Sequence, residues 1–248
     1  GLEHAKIVKN AYAIEYDCID PRQLDPTLEF KKIRGLFSAG QFNGSSGYEE
    51  AAAQCLIAGL NAALKVQGKQ MITLDRSEAY IGVLIDDLVT KENHEPYRMM
   101  TSRAEYRRLL RQDNADILLR KKGYEAGLVD EETYRKLLEK ERQITEELER
   151  VEHVYIGTTP QAQELLEKYE STPLKSGISL GDLIRRPELS YEILAPLDPD
   201  RPLLSPDTAE QVNINIKYAG YISRQRKQVE QFQKLESKKI PENIDYCK

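Results

Sequence analysis

The sequence predicts an α/β segment followed by a mainly α-helical region. Ile33–Ala39 is a short apolar run with the length of a buried strand, and the glycine-rich segment Gly40–Gly47 follows it directly. Tyr48–Lys65 is rich in alanine and leucine, which have high helix propensity. Helical patterns predominate in the remainder, and 248 residues exceed the usual size of one domain. We therefore expect two regions, residues 1–75 and residues 76–248.

Periodicity and helix-start signals predict the other elements. A partial alternation of apolar residues at Ile7, Val8, Tyr12, Ile14 and Tyr16 predicts one or two short strands. Helices are predicted at Ser77–Val89, Ser102–Arg111, Glu131–Glu152, from Thr158-Thr159-Pro160 onward, and from Pro206 to Ser237. The prolines between Arg186 and Pro206 indicate an irregular connection.

The last predicted helix contains one conflict. Val212–Ile216 alternates like a strand, but strong helix formers follow it without a break, so we expect helix. Its apolar face consists of Tyr218, Tyr221, Ile222, Val229, Phe232 and Leu235. Packing in a core is the simplest expectation for that face.

Composition limits the class of protein. Hydrophobic residues make up 40% of the chain and charged residues 31%, and no apolar run approaches the roughly 20 residues that a membrane helix needs. The three cysteines are widely separated and form no CxxC or Cys/His metal spacing, so we expect reduced thiols, a cytoplasmic location and no metal site. The first residue is not Met, which suggests that the chain begins partway through a longer protein.

Gly40–Gly47 (GQFNGSSG) is the segment with the clearest chemical potential. A strand that passes through glycines directly into a helix places free backbone N–H groups beside small residues, which suits an anion or an electron-rich ring edge. The spacing is not the G-x-G-x-x-G dinucleotide fingerprint, which occurs nowhere in the chain. A plain strand-to-helix connection explains the composition equally well. The local sequence leaves both readings open.

Five stretches, in this order, resemble the MnmG (GidA) family of tRNA uridine 5-carboxymethylaminomethyl modification enzymes. They are Tyr12–Leu28 (YAIEYDCIDPRQLDPTL), Gly35–Ala63 (GLFSAGQFNGSSGYEEAAAQCLIAGLNAA), Glu78–Asp87 (EAYIGVLIDD), Glu95–Asp116 (EPYRMMTSRAEYRRLLRQDNAD) and Tyr218–Gln225 (YAGYISRQ). Gly35–Ala63 is similar to the C-terminal flavin-binding signature of that family. The resemblance extends over essentially the whole chain.

The resemblance implies a fold and a cofactor. Residues 1–75 would be the C-terminal segment of a discontinuous, Rossmann-like FAD-binding domain, and residues 76–248 a helical tRNA- and partner-binding region that is incomplete at its C-terminus. Gln41 is implied as a flavin contact, with Gly40, Asn43, Gly44, Gly47 and Tyr48 around it. The nucleotide-binding loop and catalytic cysteines of the family would precede residue 1. We therefore nominate no catalytic residue, and Cys18 does not match one.

The resemblance also implies an activity and partners. Members of the family act with the GTPase MnmE to install a (carboxymethyl)aminomethyl group at C5 of the wobble uridine of tRNA. They use FAD, with NADH and methylenetetrahydrofolate as co-substrates, and a homodimer is expected for the full-length protein. By itself, this chain is expected to be inactive. Which wobble modification variant is made stays open.

A basic segment is the second candidate site. Arg98–Lys122 has a local excess of five positive charges, and Arg103, Arg107 and Arg111 would share one face of the predicted Ser102–Arg111 helix. Guanidinium groups bind phosphates, and Tyr97 and Tyr106 offer faces for an unstacked base. Pairing with acids of the chain is the alternative. Because the family holds tRNA near the flavin, we predict tRNA contacts for Arg98, Arg103, Arg107, Arg108 and Arg111, and secondary contacts for Lys217, Arg224, Arg226 and Lys227.

Two residues depart from the family pattern, and two acids carry alternative readings. Cys55 stands where the family usually has glycine, and Arg108 replaces an apolar residue. Glu49 and Glu50 follow the glycine segment, and complementing the helix dipole explains them better than a catalytic role. A rival reading of the whole chain is a non-catalytic tRNA- and partner-binding scaffold without a functional flavin wall.

Overall fold

The computed structural model describes residues 1–13, 15–236 and 238 of the chain. Ile14, Ser237 and Cys247, which the sequence analysis uses, lie outside the described residues. The α-helices are α1 (Tyr48–Val66), α2 (Tyr80–Thr90), α3 (Ala115–Glu125), α4 (Glu131–His153), α5 (Pro160–Lys168), α6 (Leu180–Ile184) and α7 (Pro206–Glu236). Two short strands, β1 (Tyr155–Ile156) and β2 (Ile178–Ser179), pair antiparallel with Tyr155 opposite Ser179. The described chain is thus mainly helical with one small sheet.

The chain divides into two compact units. The first unit consists of residues 1–75 and 81–103, and the second of residues 76–80 and 104–248. The expected boundary after residue 75 would place residues 81–103 in the second region, whereas in the structure they belong to the first unit. Ile85 and Val89 of α2 explain the difference, because both are buried in the same hydrophobic cluster as Ile57 of α1. Whether 1–75 and 76–248 are the domains of a longer protein stays a prediction.

The core of the first unit forms where α1 and α2 meet the loop before α1. Leu24 and Leu28 are fully buried there against Ile57 and Ala58. Asn61, also buried, donates to the carbonyls of Thr27 and Ile72 and accepts from the Ile72 N–H. One amide side chain therefore fixes α1 to two chain segments, which orients the start of the helix.

The strands predicted in the first unit do not form among the described residues. Ile33–Ala39 makes only one isolated bridge, between Phe37 and Glu29. Backbone hydrogen bonds from Phe30 to Leu36 and from Ser38 to Leu28 hold it in a short hairpin-like turn. Residues 6–13 are exposed and contain neither strand nor helix. The predictions were wrong because apolar length and alternation define a strand only where a neighbouring strand supplies continuous hydrogen-bond partners.

The core of the second unit lies among α4, α5, α6 and α7. Val151, Leu166, Leu183, Ile184 and Val212 are fully buried there. The N-cap side chains of α4 and α5 come from Asp130 and Thr159, so the predicted helix starts are confirmed. The strand-like Val212–Ile216 is helical as predicted. Val212 and Ile216, four residues apart, both reach the core on one face of α7. Further along α7, Ile222 is buried as predicted, but core packing is wrong for the exposed residues Tyr218, Tyr221, Phe232 and Leu235.

Arg150 and Tyr191 organise a buried polar cluster beside this core. The Arg150 guanidinium bridges the carboxylates of Glu147 and Asp198, both of which are buried. Tyr191 donates to Glu147 at 2.8 Å, and burial together with this bond raises the pKa of Tyr191 to about 12. Because Asp198 lies in the irregular connection, the cluster fixes that connection to α4.

The predicted helix at Ser102–Arg111 is wrong. Thr101–Arg103 forms a single 3-10 turn, residues 104–111 are turns and irregular backbone, and the next α-helix begins at Ala115. Side chains explain the difference, because the Arg108 N–H donates to Gln225 and the Arg111 N–H donates to Asn114. These donors are thereby removed from a helical ladder. Arg103, Arg107 and Arg111 consequently do not form a helical stripe.

Candidate functional site

The segment Gly40–Gly47, which we call the glycine loop, is a compact turn in front of α1. Gly40–Asn43 forms a 3-10 turn, and Gly44 closes it with φ +76°, a left-handed conformation that favours glycine. Gly47 then takes extended backbone as the N-cap of α1. The predicted order of glycine loop and helix is confirmed, and the loop delivers the chain directly to the helix start.

A buried amide network holds the glycine loop in shape. Gln54 of α1 accepts from the Gly40 N–H at 3.2 Å and from Asn43 Nδ2 at 2.8 Å. The Gln54 Nε2 donates to Ser45 Oγ at 2.6 Å, and the Ser45 hydroxyl in turn donates to the Gly40 carbonyl at 3.2 Å. Asn43 also bonds to the hydroxyl and carbonyl of Ser38. Because Gln54, Asn43 and Ser45 are fully buried, this network specifies one loop conformation.

Sequence reasoning missed Gln54, although a signal for it exists. Gln54 and Asn61 are uncharged amides seven residues apart in the apolar middle of α1, residues 51–64, and both are fully buried. That spacing places them on the face of α1 that also carries Ile57 and Leu64. Two buried amides on the core face of a helix indicate backbone segments that need partners.

Glu50 ties the helix start to the segment Pro96–Met99. Its Oε1 accepts from the Met99 N–H at 2.7 Å and lies 3.4 Å from Arg98 Nε. The same segment pairs with the glycine loop through the Tyr97 N–H and the Gly44 carbonyl at 2.8 Å. A Cβ at residue 47 would collide with the Glu50 carboxylate, whose Cδ lies 2.7 Å from that position. Gly47 therefore leaves room for the buried Glu50 carboxylate. Glu50 thus has a structural role in addition to the predicted compensation of the helix dipole.

The predicted cofactor residues divide into two groups. Gln41 and Tyr48 are exposed, with Tyr48 92% exposed, so their side chains are free to meet a ligand. Gly40, Asn43 and Gly47 are buried and Gly44 is half-buried, so these four would act through the shape of the backbone. In Asn43, both the oxygen and the nitrogen of the side-chain amide already form hydrogen bonds within the protein. Among the predicted cofactor residues, Gln41 and Tyr48 are therefore the two whose side chains can contact a ligand.

Backbone donors at the start of α1 complete the site. Among the described residues, the N–H groups of Tyr48, Glu49 and Glu50 have no acceptor, as expected for the first turn of a helix. Glu49 and Glu50 already place two carboxylates at this positive helix end. The combination favours an uncharged ligand edge with acceptor atoms over a phosphate. It fits the edge of a flavin ring system.

A cleft of about 450 Å³ opens beside Asn43 and Gly44. Its other walls are formed by Glu92–Pro96 and by residues 15–22, and the Ile19 N–H bonds to the Phe42 carbonyl at 2.9 Å. The cleft lining contains the ion pair between Arg22 and Asp20. Of the predicted cofactor residues, Asn43 and Gly44 line this cleft, whereas Gln41, Gly47 and Tyr48 do not.

The predicted tRNA arginines in the first unit are largely occupied within the chain. Arg103 lies over the ring of Tyr97, with its Cζ 4.3 Å from the ring centroid. Its Nη1 is 4.0 Å from Asp87 Oδ2. Tyr97 is buried and donates to Asp87 at 2.8 Å. Arg98 is paired with Glu50, although its side chain is 56% exposed. Arg98 is thus the more accessible of these two arginines.

The second unit contains Arg107, Arg108 and Arg111. Arg111 makes a two-pronged ion pair with Asp113 at 2.9–3.1 Å. Burial raises the pKa of Asp113, but hydrogen bonds from Arg111 and Gln211 outweigh it and lower that pKa overall. Arg107 and Arg108 are exposed and form no ion pair with a carboxylate of the described chain. They remain accessible to an external anion.

The described part of the chain contains no group of three or more His, Cys, Asp or Glu side chains placed to hold a metal ion. No helix within those same ranges is long and apolar enough to cross a membrane. Cys18 and Cys55 are both exposed. A side chain is therefore accommodated at position 55 without entering the core.

Two family models match the chain. The model described as glucose inhibited division protein A matches residues 1–70, and that of the tRNA modifying enzyme MnmG/GidA C-terminal helical domain matches residues 131–226. Similar curated proteins include two bacterial proteins named tRNA uridine 5-carboxymethylaminomethyl modification enzyme MnmG. Those of Lachnoclostridium phytofermentans and Caldicellulosiruptor saccharolyticus are 65% and 58% identical over 246 residues. Each alignment covers 99% of this chain and 39% of the relative, so the chain spans about two fifths of their length.

Solved structures give the same result. The form II crystal structure of Aquifex aeolicus GidA matches with a TM-score of 0.80 and 44% identity, covering 100% of this chain and 39% of that one. The form I crystal gives a TM-score of 0.73 at 44% identity, with 93% and 35% covered. The similarity therefore holds for sequence and for three-dimensional structure across both units.

Proposed function

This chain belongs to the MnmG/GidA family, and from that premise we propose that it supplies one wall of an FAD site and part of a tRNA-binding surface in a tRNA-modifying enzyme. The enzyme acts with the GTPase MnmE to install a (carboxymethyl)aminomethyl group at C5 of the wobble uridine. NADH and methylenetetrahydrofolate are its co-substrates, and it works as a homodimer. The first unit belongs to a discontinuous, Rossmann-like FAD-binding domain.

The buried amide network around the glycine loop is the observation that carries the flavin proposal. Four buried side chains, those of Gln54, Asn43, Ser45 and Ser38, are used to shape a turn at the start of a helix. A plain strand-to-helix connection needs no such network. A site that must present backbone donors in a fixed geometry does need it, because preorganisation avoids an ordering cost when the ligand binds.

The residues of this chain bind and orient the flavin. Gln41 offers its amide to the polar ring edge, and Gly40, Gly44 and Gly47 permit the close approach of backbone. Tyr48 and its neighbours provide first-turn N–H donors. Bound flavin supplies the redox chemistry. The catalytic nucleophile is assigned to a part of the full-length enzyme that this chain does not cover.

An FAD titration of the full-length protein tests this assignment. Gly44→Val forces a β-branched residue into φ +76°, so we expect a distorted loop and at least a tenfold weaker FAD affinity. Gln41→Ala should lower the affinity for FAD about fivefold, which corresponds to the loss of one hydrogen bond. Gly127→Val, at φ +82° in the second unit, is the matched control for strain away from the loop. Unchanged FAD occupancy in both loop variants would contradict the flavin wall and favour the scaffold reading.

The tRNA part of the proposal rests on the exposed arginines. Arg98, Arg103, Arg107, Arg108 and Arg111 stay the predicted contacts. Arg107 and Arg108 are the two that pair with no carboxylate among the described residues. Arg107→Ala should lower tRNA affinity and reduce the dependence of log K on log salt by about one. Arg135→Ala, an exposed arginine on α4 of the same unit, is the control and should leave the slope unchanged. An equal effect of both substitutions would indicate a general charge effect and not a site.

A further inference from the structure

Arg98 lies beside the glycine loop, at the end where α1 begins. Its Nε is 3.4 Å from Glu50 Oε1, and its Cζ is 3.1 Å from the position that a Cβ at residue 47 would take. The guanidinium group therefore lies against the backbone of Gly47. Its N–H groups form no hydrogen bond within the described part of the chain, and the side chain is 56% exposed. Arg98 thus offers hydrogen-bond donors next to two predicted flavin contacts, Gly47 and Tyr48.

Glu50 lies beneath the glycine loop and pairs with Arg98. The Glu50 side chain is 3% exposed, and the Met99 N–H donates to its Oε1 at 2.7 Å. Its Oε2 lies beside Gly47, is also buried, and has no hydrogen-bond partner among the described residues. Because a buried carboxylate is costly without an opposite charge, the ion pair holds the Arg98 guanidinium at the start of α1.

The backbone on both sides of Arg98 is attached to this site. The Tyr97 N–H donates to the Gly44 carbonyl at 2.8 Å, and the buried Tyr97 hydroxyl donates to Asp87 of α2 at 2.8 Å. On the other side, the Met99 N–H is bound to Glu50. Residue 98 therefore has a fixed backbone position between the glycine loop and the first turn of α1.

A fixed cation at this position suits a ligand whose charge becomes more negative during the reaction. An oxidised flavin ring is uncharged, and its reduction by two electrons and one proton, as a hydride from NADH supplies them, leaves one negative charge on the ring at neutral pH. The positive end of α1 favours that charge weakly, whereas Arg98 adds a full positive charge. Glu49 opposes it less, because Glu49 is exposed and screened by solvent.

We propose that Arg98 contacts the flavin ring and binds reduced FAD more tightly than oxidised FAD, with Glu50 as the residue that positions it. The proposal rests on the flavin site proposed above and gives Arg98 a role beside its predicted tRNA contact. The ring is favoured over the pyrophosphate of FAD as the ligand group. Two carboxylates, Glu49 and Glu50, lie at this helix end and disfavour a permanently charged phosphate.

Reductive titration of the full-length, FAD-loaded protein with dithionite and a reference dye tests the proposal. It measures the affinity for reduced FAD relative to oxidised FAD. Arg98→Ala should lower this ratio about tenfold, which makes the two-electron potential about 30 mV more negative. Arg98→Lys keeps the charge and should recover part of the shift. Arg34→Ala removes an exposed arginine of the first unit that pairs with Asp25 at 3.5 Å, and as the control it should leave the potential unchanged.

Glu50→Gln separates the charge from the structure. It keeps an oxygen for the Met99 N–H but removes the negative charge beside Arg98, so the relative affinity for reduced FAD should rise. Arg98→Ala and Glu50→Gln should therefore shift the potential in opposite directions. A distorted glycine loop would instead weaken the binding of both forms of FAD. Melting temperatures measured for every variant show whether the first unit stays folded.

The outcomes distinguish this inference from the proposed function. FAD binding by the wild type, with an unchanged potential in folded Arg98→Ala, would overturn the ring contact and leave the flavin wall standing. An equal loss of affinity for oxidised and reduced FAD would indicate a pyrophosphate contact and also overturn it. Shifts of the same sign in Arg98→Ala and Glu50→Gln would contradict the charge effect. Absence of FAD binding by the wild type would overturn both proposals.

Discussion

The glycine loop and the exposed side of α7 around Tyr218, Tyr221 and Arg224 differ in how they arrange their side chains. The glycine loop buries its polar side chains in a closed network, so that only backbone and a few side chains such as Gln41 are left for a ligand. On α7, by contrast, Tyr218 and Tyr221 are about half exposed and Arg224 lies at the surface. We therefore expect a substitution in the first region to change the backbone conformation, and a substitution in the second to remove a single side chain and leave the fold intact.

Gln54→Leu should have the largest effect on stability. Asn43 Nδ2, Ser45 and the Gly40 N–H lose a buried partner, and each unsatisfied group costs about 1–3 kcal/mol. We expect the free energy of unfolding of the first unit to fall by about 3 kcal/mol in urea denaturation. Gln67→Ala, at the exposed C-cap of α1, is the control and should stay within about 0.5 kcal/mol. A change of less than about 1 kcal/mol for Gln54→Leu would show that the loop is not specified by the network.

Gly47→Ala should have the next largest effect. The new Cβ meets the buried Glu50 carboxylate, so Glu50 must release the Met99 N–H and Arg98. A loss of about 2 kcal/mol is expected, in the range of overpacking a buried site. In a Glu50→Ala background the same substitution should cost much less, because the colliding carboxylate is gone. Strict additivity of the two substitutions, measured by urea denaturation, would contradict the collision.

Acid should destabilise the first unit through Glu29. Hydrogen bonds from Lys65 and the Gly35 N–H lower the pKa of this buried carboxyl from its ordinary 4.5. Its contribution to stability is therefore complete above pH 4.5 and is lost as pH falls through the lowered pKa. The melting-temperature difference between wild type and Glu29→Gln should narrow on acidification, and Lys65→Met should show the same narrowing. A constant difference between pH 6 and about pH 3 would rule out this linkage.

Gln225→Ala should have the smallest effect on stability. Its two hydrogen bonds lie at a partly exposed position, where water replaces them, so the loss should be under about 1 kcal/mol. The contrast with Gln54→Leu is the sharpest test of the comparison, since both substitutions remove one glutamine that binds backbone. Equal losses in urea denaturation would mean that water does not replace the two Gln225 hydrogen bonds.

Local signals located most of the helices. The periodicity of α4, the Thr159-Pro160 start of α5 and the alanine-rich α1 all correspond to helices in the structure. Each depends on residues within a few positions of one another, which is the range over which helix hydrogen bonds and caps act. The resemblance of Gly35–Ala63 added the flavin hypothesis, which the glycines alone left open.

Local sequence signals did not predict the residues of the buried amide network. Gln54 and Ser38 bind across the glycine loop, and Glu50 binds Met99, 49 positions away. Pairing of this kind depends on which segments pack together and not on local spacing. The Ser102–Arg111 segment shows the same limit, because Gln225 diverts the Arg108 N–H from 117 positions away.

The sequence by itself determined α1, α2, α4, α5 and α7, the position of the glycine loop and the family, because these follow from short-range hydrogen bonding and from long ordered similarity. It did not predict α3 or α6. Only the tertiary structure decided that Ile33–Ala39 pairs too briefly to be a strand, that Glu50 is buried beneath Gly47, and that Arg103 and Arg111 are engaged within the chain. Strand pairing and ion pairing both require a partner that packing brings from a distant part of the chain, and local pattern contains no information about that partner.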